Sequence, residues 1–327
     1  RSCGRAHRQS NGGFYPMSSG KRYICLDIGG TYIKHGLLTE KGEILTTGKI
    51  PTRAKEGGQA VFEQAVELVE DYLEKEEQKP SGIAISTAGM VDPETGIILH
   101  ASDTIPGYAG INYKAYMEER FHLPCAVEND VNCAGLAESV SGAGKGSRIN
   151  LCLTVGTGIG GCLVVDGNVF HGISNSACEV GYMRLEQGVF QDEAAASALV
   201  RRVEERKKAE TRLSEDGEPS ESWDGFRIFE AAKAGDPICC EELERLAELL
   251  GMGIANICFV VNPERVILGG GIMEQEAYMK PRIEAALEKY LVPQIWKHTT
   301  VCMAAYQNHA GMLGALYHLQ AELRLCR

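Results

Sequence analysis

Tyr23-Ile-Cys-Leu-Asp27-Ile-Gly29-Gly30-Thr31, continuing Tyr32-Ile-Lys34-His-Gly-Leu-Leu38, is an apolar run, a turn with little side chain and a second apolar run. The pattern returns in Leu151-Cys-Leu-Thr154-Val-Gly156-Thr157-Gly158-Ile-Gly160-Gly161, followed by Cys162-Leu-Val-Val165-Asp-Gly. Laid over each other, Cys25-Leu26 falls on Cys152-Leu153 and Gly29 on Gly156. Each reads as a hairpin whose bare backbone can approach a phosphate closely. Two in equivalent places indicate a duplicated domain gripping a nucleotide from both sides, and hence phosphotransfer chemistry.

Two other phosphate mechanisms fail on context. Residues 156 to 161 satisfy G-x-G-x-x-G, but the dinucleotide fingerprint requires the turn to open a helix whose N-terminus meets the pyrophosphate. Here the β-type run Cys162-Leu-Val-Val165 follows instead, ending in an Asp-Gly turn. Gly144-Lys145 lacks the Ser/Thr after the lysine and the glycine five residues before it, so it is no P-loop. What the hairpins do fit is phosphate held by backbone N–H groups and the hydroxyls of Thr31 and Thr157. Asp27, at the end of its strand, would face Mg²⁺ directly or through water.

The chain has 327 residues, room for two domains. Its composition, 44% hydrophobic and 24% charged, is that of a globular protein. A net charge of -11 gives nonspecific nucleic-acid binding no support, so an anionic ligand must be held by local donors and a metal. The 12 cysteines include Cys25, Cys125, Cys152, Cys162 and Cys258 inside apolar runs, and no CxxC pair occurs. Buried thiols in a reducing compartment follow. No stretch is apolar enough to span a bilayer, and residues 1 to 20 have no hydrophobic signal core. They are expected to be a disordered leader or an extension ahead of a start at Met17, and the protein is expected to be cytoplasmic.

Between and after the hairpins, strands alternate with helices. Helices are predicted over 59–77, 114–121, 131–140, 238–261 and 312–325. Strands are predicted over 82–86, 125–127 and 265–268. The charged segment 204–224 reads as a helix end and loop. This is an α/β pattern, and the hairpins add antiparallel strands, so mixed sheets are expected. The apolar helix around Ile254 could be core or interface.

Asp27-Ile-Gly-Gly-Thr31-Tyr-Ile-Lys34, Glu128-Asn-Asp-Val-Asn132, Val155-Gly-Thr-Gly-Ile-Gly-Gly161 and Leu268-Gly-Gly-Gly271, in this order, resemble the signature set of the ROK family. That family comprises repressors, open reading frames and sugar kinases. The resemblance covers the chain from about Lys21 onward. It implies two actin-like (ribonuclease H-like) domains of the hexokinase/actin superfold, one over 21–127 plus 310–327 and the other over 128–309. It also implies ATP and Mg²⁺ as cofactors, and phosphorylation of a hexose hydroxyl, most simply the 6-OH, with Asp130 as base. A homodimer is a family-like expectation. ATP is expected at Asp27, Gly29, Gly30, Thr31, Lys34, Gly156, Thr157, Gly158, Gly160 and Gly269, Gly270 and Gly271. Sugar is expected at Gly89, Asn129, Asp130, Glu179, Tyr182 and Glu193.

An Asp at a helix start is expected to stay ionised beside the N-terminal dipole, a weak base of the kind phosphoryl transfer needs. Asn129 or Asp130 could equally be a plain helix cap, and both roles can coexist. Glu193 could be a surface residue at a helix start. The departure from the family lies at Glu179-Val-Gly181-Tyr182, where a histidine is expected instead of Tyr182. No cysteine lies between Glu179 and Glu193, so the zinc of many relatives is not expected here. Glucose is the default acceptor, with a β-glucoside or N-acetylmannosamine as alternatives because of Tyr182. His100, His171 and His309 are in no ligand spacing and read as structural or exposed. A sugar-responsive repressor is disfavoured because no helix-turn-helix fits in residues 1–20. An actin-like ATPase is disfavoured by the paired Glu179 and Glu193.

Overall fold

A computed structural model of the protein describes residues 20–213 and 222–325. The first hairpin is β1 (Arg22–Ile28) and β2 (Tyr32–Thr39), extended by β3 (Ile44–Pro51). Helix α1 (Gly58–Lys75) leads to β4 (Ile83–Thr87) and to a small separate hairpin, β5 (Met90–Asp92) and β6 (Ile97–His100). Then come α2 (Tyr113–Phe121), β7 (Cys125–Asn129) and α3 (Asp130–Ser141). The first sheet has the order β3-β2-β1-β4-β7, antiparallel on the hairpin side and parallel from β1 to β7.

The second half repeats it. Strands β8 (Ile149–Val155), β9 (Ile159–Val165) and β10 (Asn168–Val169) are the antiparallel part. Helices α4 (Phe190–Ala194), α5 (Ala196–Leu213), α6 (Gly225–Lys233) and α7 (Pro237–Val261) precede β11 (Arg265–Gly269). Helices α8 (Glu276–Tyr290) and α9 (Pro293–Trp296) precede β12 (Thr300–Met303), and α10 (Ala310–Leu325) closes the fold. The order β10-β9-β8-β11-β12 has the same directions as the first sheet. The strand after Gly158, which the dinucleotide mechanism forbids, is β9.

The central strands of both sheets are covered on both faces, which is why β1, β4, β8 and β11 are almost wholly apolar. In β1, Ile24, Leu26 and Ile28 pack with Val61, Ala65 and Val69 of α1, while Tyr23 and Cys25 face Met312 and Leu316 of α10. In β8, Leu151, Leu153 and Val155 join a core with α7, while Cys152 faces the opposite side with Cys162 and Ile267. The ten cysteines among the described residues are free thiols, most of them buried. Ile254 is fully buried in the core.

Helix α10 lies on β1, β4 and β7, α3 lies on β8 and β9, and the two helices pack on each other, joining the sheets. Their approach depends on Gly314: a Cβ there would fall 1.8 Å from the Cys133 carbonyl oxygen. Strand β7 runs to Asn129 in the first sheet, past the expected boundary at residue 127. Residues 204–213 of the charged segment are helix, and 214–221 lie outside the described residues. The leader (residues 1–19) also lies outside them. Among the described residues, no helix is long and apolar enough to cross a membrane.

Candidate active site

Strand β7 hands directly to α3, and Asn129 caps the helix: its Oδ1 accepts from the N–H groups of Val131 (2.9 Å) and Asn132 (3.0 Å). The other end of the same amide donates to the Gly89 carbonyl (2.9 Å) and to Asp130 Oδ1 (3.0 Å). Val131 N–H also donates to Asp130 Oδ1 (2.9 Å), and no hydrogen bond among the described residues reaches Oδ2. Cap and carboxylate orientation are thus one device.

The expectation that Asp130 stays ionised beside the helix dipole meets an opposing influence in its surroundings. Burial, and then the like charge of Asp27, push its carboxyl up to about 7, against the hydrogen bonds from Val131 and Asn129. A group poised there can both hold and release a proton near neutrality.

Asp27 ends β1 beside β4. Ser86 Oγ donates to its Oδ1 (2.8 Å), Lys34 Nζ lies 3.5 Å from its Oδ2, and α10 begins against it at Gly311. Among the described residues no three His, Cys, Asp or Glu side chains converge as a metal cage. Mg²⁺ needs none, since it takes one or two carboxylates and completes its shell with water and phosphate. The mutual repulsion of Asp27 and Asp130 fits a cation between substrate and protein.

The two glycine turns have a common feature. Gly29 N–H donates to Tyr32 and Gly156 N–H to Gly158, closing each turn. The N–H groups of Gly30, Thr31, Thr157 and Gly158 make no hydrogen bond among the described residues. Four free backbone donors at the two turns are what a polyphosphate requires.

Behind the second turn, a cavity of about 280 Å³ is lined by Thr154, Gly269, Gly270, Gly271, Met273 and Ala304. Gly270 has φ 103°, and a Cβ on it would fall 2.2 Å from the Val155 carbonyl oxygen, so only glycine fits this wall. A second pocket of about 190 Å³ is lined by Gly89, His100, Asn129, Gly161, Glu179 and Tyr182. The two share the second hairpin. Thr154 lines the first, and its cross-strand partner Gly160 lines the second.

The structure does not bring Glu193 to the second pocket's wall. Its carboxylate is taken by Arg245 (3.3 Å), and its carbonyl by Arg202 (2.5 Å). Gln191, two residues earlier, instead has its Oε1 beside Gly158 of the second turn and Gly181. A short helix in this stretch turns alternate residues to different sides, and no sequence signal says which is inward.

His171, read from the sequence as structural or exposed, pairs with Glu128, to which the sequence assigned no role of its own. Glu128 is fully buried, and His171 Nε2 lies 2.6 Å from its Oε2. A carboxylate ending the apolar run Cys125-Ala-Val-Glu128 is the available signal, since burial demands a partner.

The ROK family model matches residues 23–322, and the chain belongs to that family. It is 47% identical over 298 residues to an uncharacterized protein of Clostridium perfringens (91% of this chain, 97% of that one). It is 33% identical over 310 residues to a β-glucoside kinase of Listeria monocytogenes (93% and 99%). Among solved structures, a ROK glucokinase from Streptomyces griseus in complex with glucose and AMPPNP superposes with a TM-score of 0.76 at 28% identity, covering 90% of this chain and 98% of that one. The fold is the actin-like one of the ROK sugar kinases.

Proposed function

We propose that this protein is an ATP-dependent sugar kinase that phosphorylates a hexose, glucose-type and at the 6-hydroxyl, with Asp130 as base. The observation carrying this is the four unbonded backbone N–H groups at the two glycine turns together with the oriented carboxylate of Asp130, whose neighbours Asn129 and Val131 line the second pocket. The N–H groups of Gly30, Thr31, Thr157 and Gly158 hold phosphate oxygens, and Gly269, Gly270 and Gly271 form the adenosine wall. Asp27, directly or through water, holds Mg²⁺, which when bound neutralises phosphate charge. Glu179 fixes the sugar's hydroxyls, while Asn129, its amide fully engaged, orients Asp130. Asp130 Oδ2 takes the hydroxyl proton as that oxygen bonds to the γ-phosphorus and the bond to the β-phosphate oxygen breaks, releasing ADP.

Tyr182 supports a second reading. It is exposed and lines the second pocket, and an aromatic ring there suits stacking on a further sugar ring, which favours a β-glucoside. An ADP-release screen against hexoses, N-acetylhexosamines (N-acetylmannosamine included) and disaccharides separates the acceptors. ADP release independent of any sugar would overturn the kinase reading.

A further inference from the structure

We propose that the His171–Glu128 pair is a strut that locks the sugar-recognition segment to the turn carrying Asp130, making His171 and Glu128 positioning residues for the transfer. The inference rests on the readings of Asp130 as base and Glu179 as a sugar contact.

The pair joins different parts of the fold. Glu128 belongs to β7 of the first sheet, whereas His171 follows β10 of the second. Each Glu128 oxygen has its own duty. Oε2 meets His171 at 2.6 Å, while Oε1 accepts from the backbone N–H of Asn129 (2.7 Å) and from Asn132 Nδ2 (3.0 Å). Asn129 is the residue that orients Asp130. A displacement of Glu128 therefore reaches the base through one intervening residue.

On the other side, His171 opens the tight segment that ends at Glu179. Its carbonyl accepts from Ala177 N–H (3.0 Å), and Asn175 and Cys178 adopt left-handed backbone conformations with φ 55° and 63°. Strained backbone persists where the surroundings hold it in place. His318 of α10 lies 3.9 Å from Glu128 Oε2, and Asp92 of β5 adds a negative field at His171. Glu128 is held below the ordinary carboxylate range by its partners despite burial, and His171 is raised by Glu128. A buried ion pair is weak evidence for stability, whereas fixing one arrangement is a use the geometry here supports.

The test uses the full chain, with sugar and ATP kinetics on His171→Ala, His171→Arg, Glu128→Gln and Asp130→Asn. A misplaced acceptor or base lowers turnover steeply, so His171→Ala should lose roughly tenfold to a hundredfold in kcat and raise the sugar KM, with the ATP KM within about twofold. Glu128→Gln should show the same split, and His171→Arg, which restores a cationic donor, should recover most of the loss. Folded His171→Ala with kcat and sugar KM both unchanged would overturn the strut. So would a loss proportional to the inactive fraction by active-site titration, with KM unmoved. If Asp130→Asn is dead while His171→Ala is normal, the strut alone fails; if Asp130→Asn turns over normally, the base reading fails first.

Discussion

The two sheets share one topology but divide the chemistry. At the matched place before each glycine turn, the first carries Asp27 and the second Thr154. At the ends of the parallel strands, the first presents Glu128, Asn129 and Asp130, while the second presents Gly269, Gly270 and Gly271. One half concentrates carboxylates and the other offers bare backbone. Carboxylates placed in both halves would repel a polyphosphate, and glycines in both would leave nothing to take a proton. A duplicated scaffold supplies two glycine turns, and asymmetry at the strand ends gives the two halves different chemistry.

The largest expected break is Asp130→Asn, which removes the proposed base and should cut kcat by roughly 10² to 10⁴ while nucleotide binding and thermal melting stay near the parent's. Next is the joint between the halves. Gly314→Ala places a methyl against the Cys133 carbonyl and should cost about 3 kcal/mol, read as a lowered midpoint in urea unfolding.

The carboxylate pair gives a pH signature. Asp130 is raised to about 7, so it is protonated below that value, and kcat/KM should fall as pH drops through it. Asp27→Asn removes the like charge and should shift this limb to lower pH; an unmoved limb would show that the two carboxylates do not communicate.

The cross-sheet pair acts on stability. His171 is raised above its ordinary 6.5, so its contribution is full below 6.5 and is lost as pH rises through its folded value. Glu128 is lowered from 4.5, so its contribution is present above 4.5 and is lost as pH falls through its folded value. The stability difference between parent and His171→Gln should therefore be greatest between these limits and shrink on the alkaline side. Smallest is Cys178→Gly: relief of a left-handed φ of 63° should stabilise by about 1 kcal/mol in the same unfolding assay.

Much of the site was readable where chemistry is local. The turns at Gly29 and Gly156, the capped start at Asn129 and the helix end at residue 261 are each fixed by neighbours in the chain. Asn262, just beyond that end, caps α7 with φ 44°. Glu193 was not readable, because Arg245 on a distant helix decides where its carboxylate goes. Strand β3, with an exposed pattern and the polar pair Thr46-Thr47, carries no burial signal and is made a strand by pairing with β2. Short β10 and β12 are likewise defined by their partners.

The sequence by itself determined the two hairpins, the main strands and helices around them, the family and the capped turn that carries Asp130, because turn glycines, apolar periodicity and capping act over a few residues. The tertiary structure alone decided the burial and the Asp27 charge that raise Asp130, the buried bond of His171 to Glu128 and the pairing of Glu193 with Arg245 away from the second pocket's wall. Desolvation and charge coupling depend on which groups folding brings together, and those groups lie far apart along the chain.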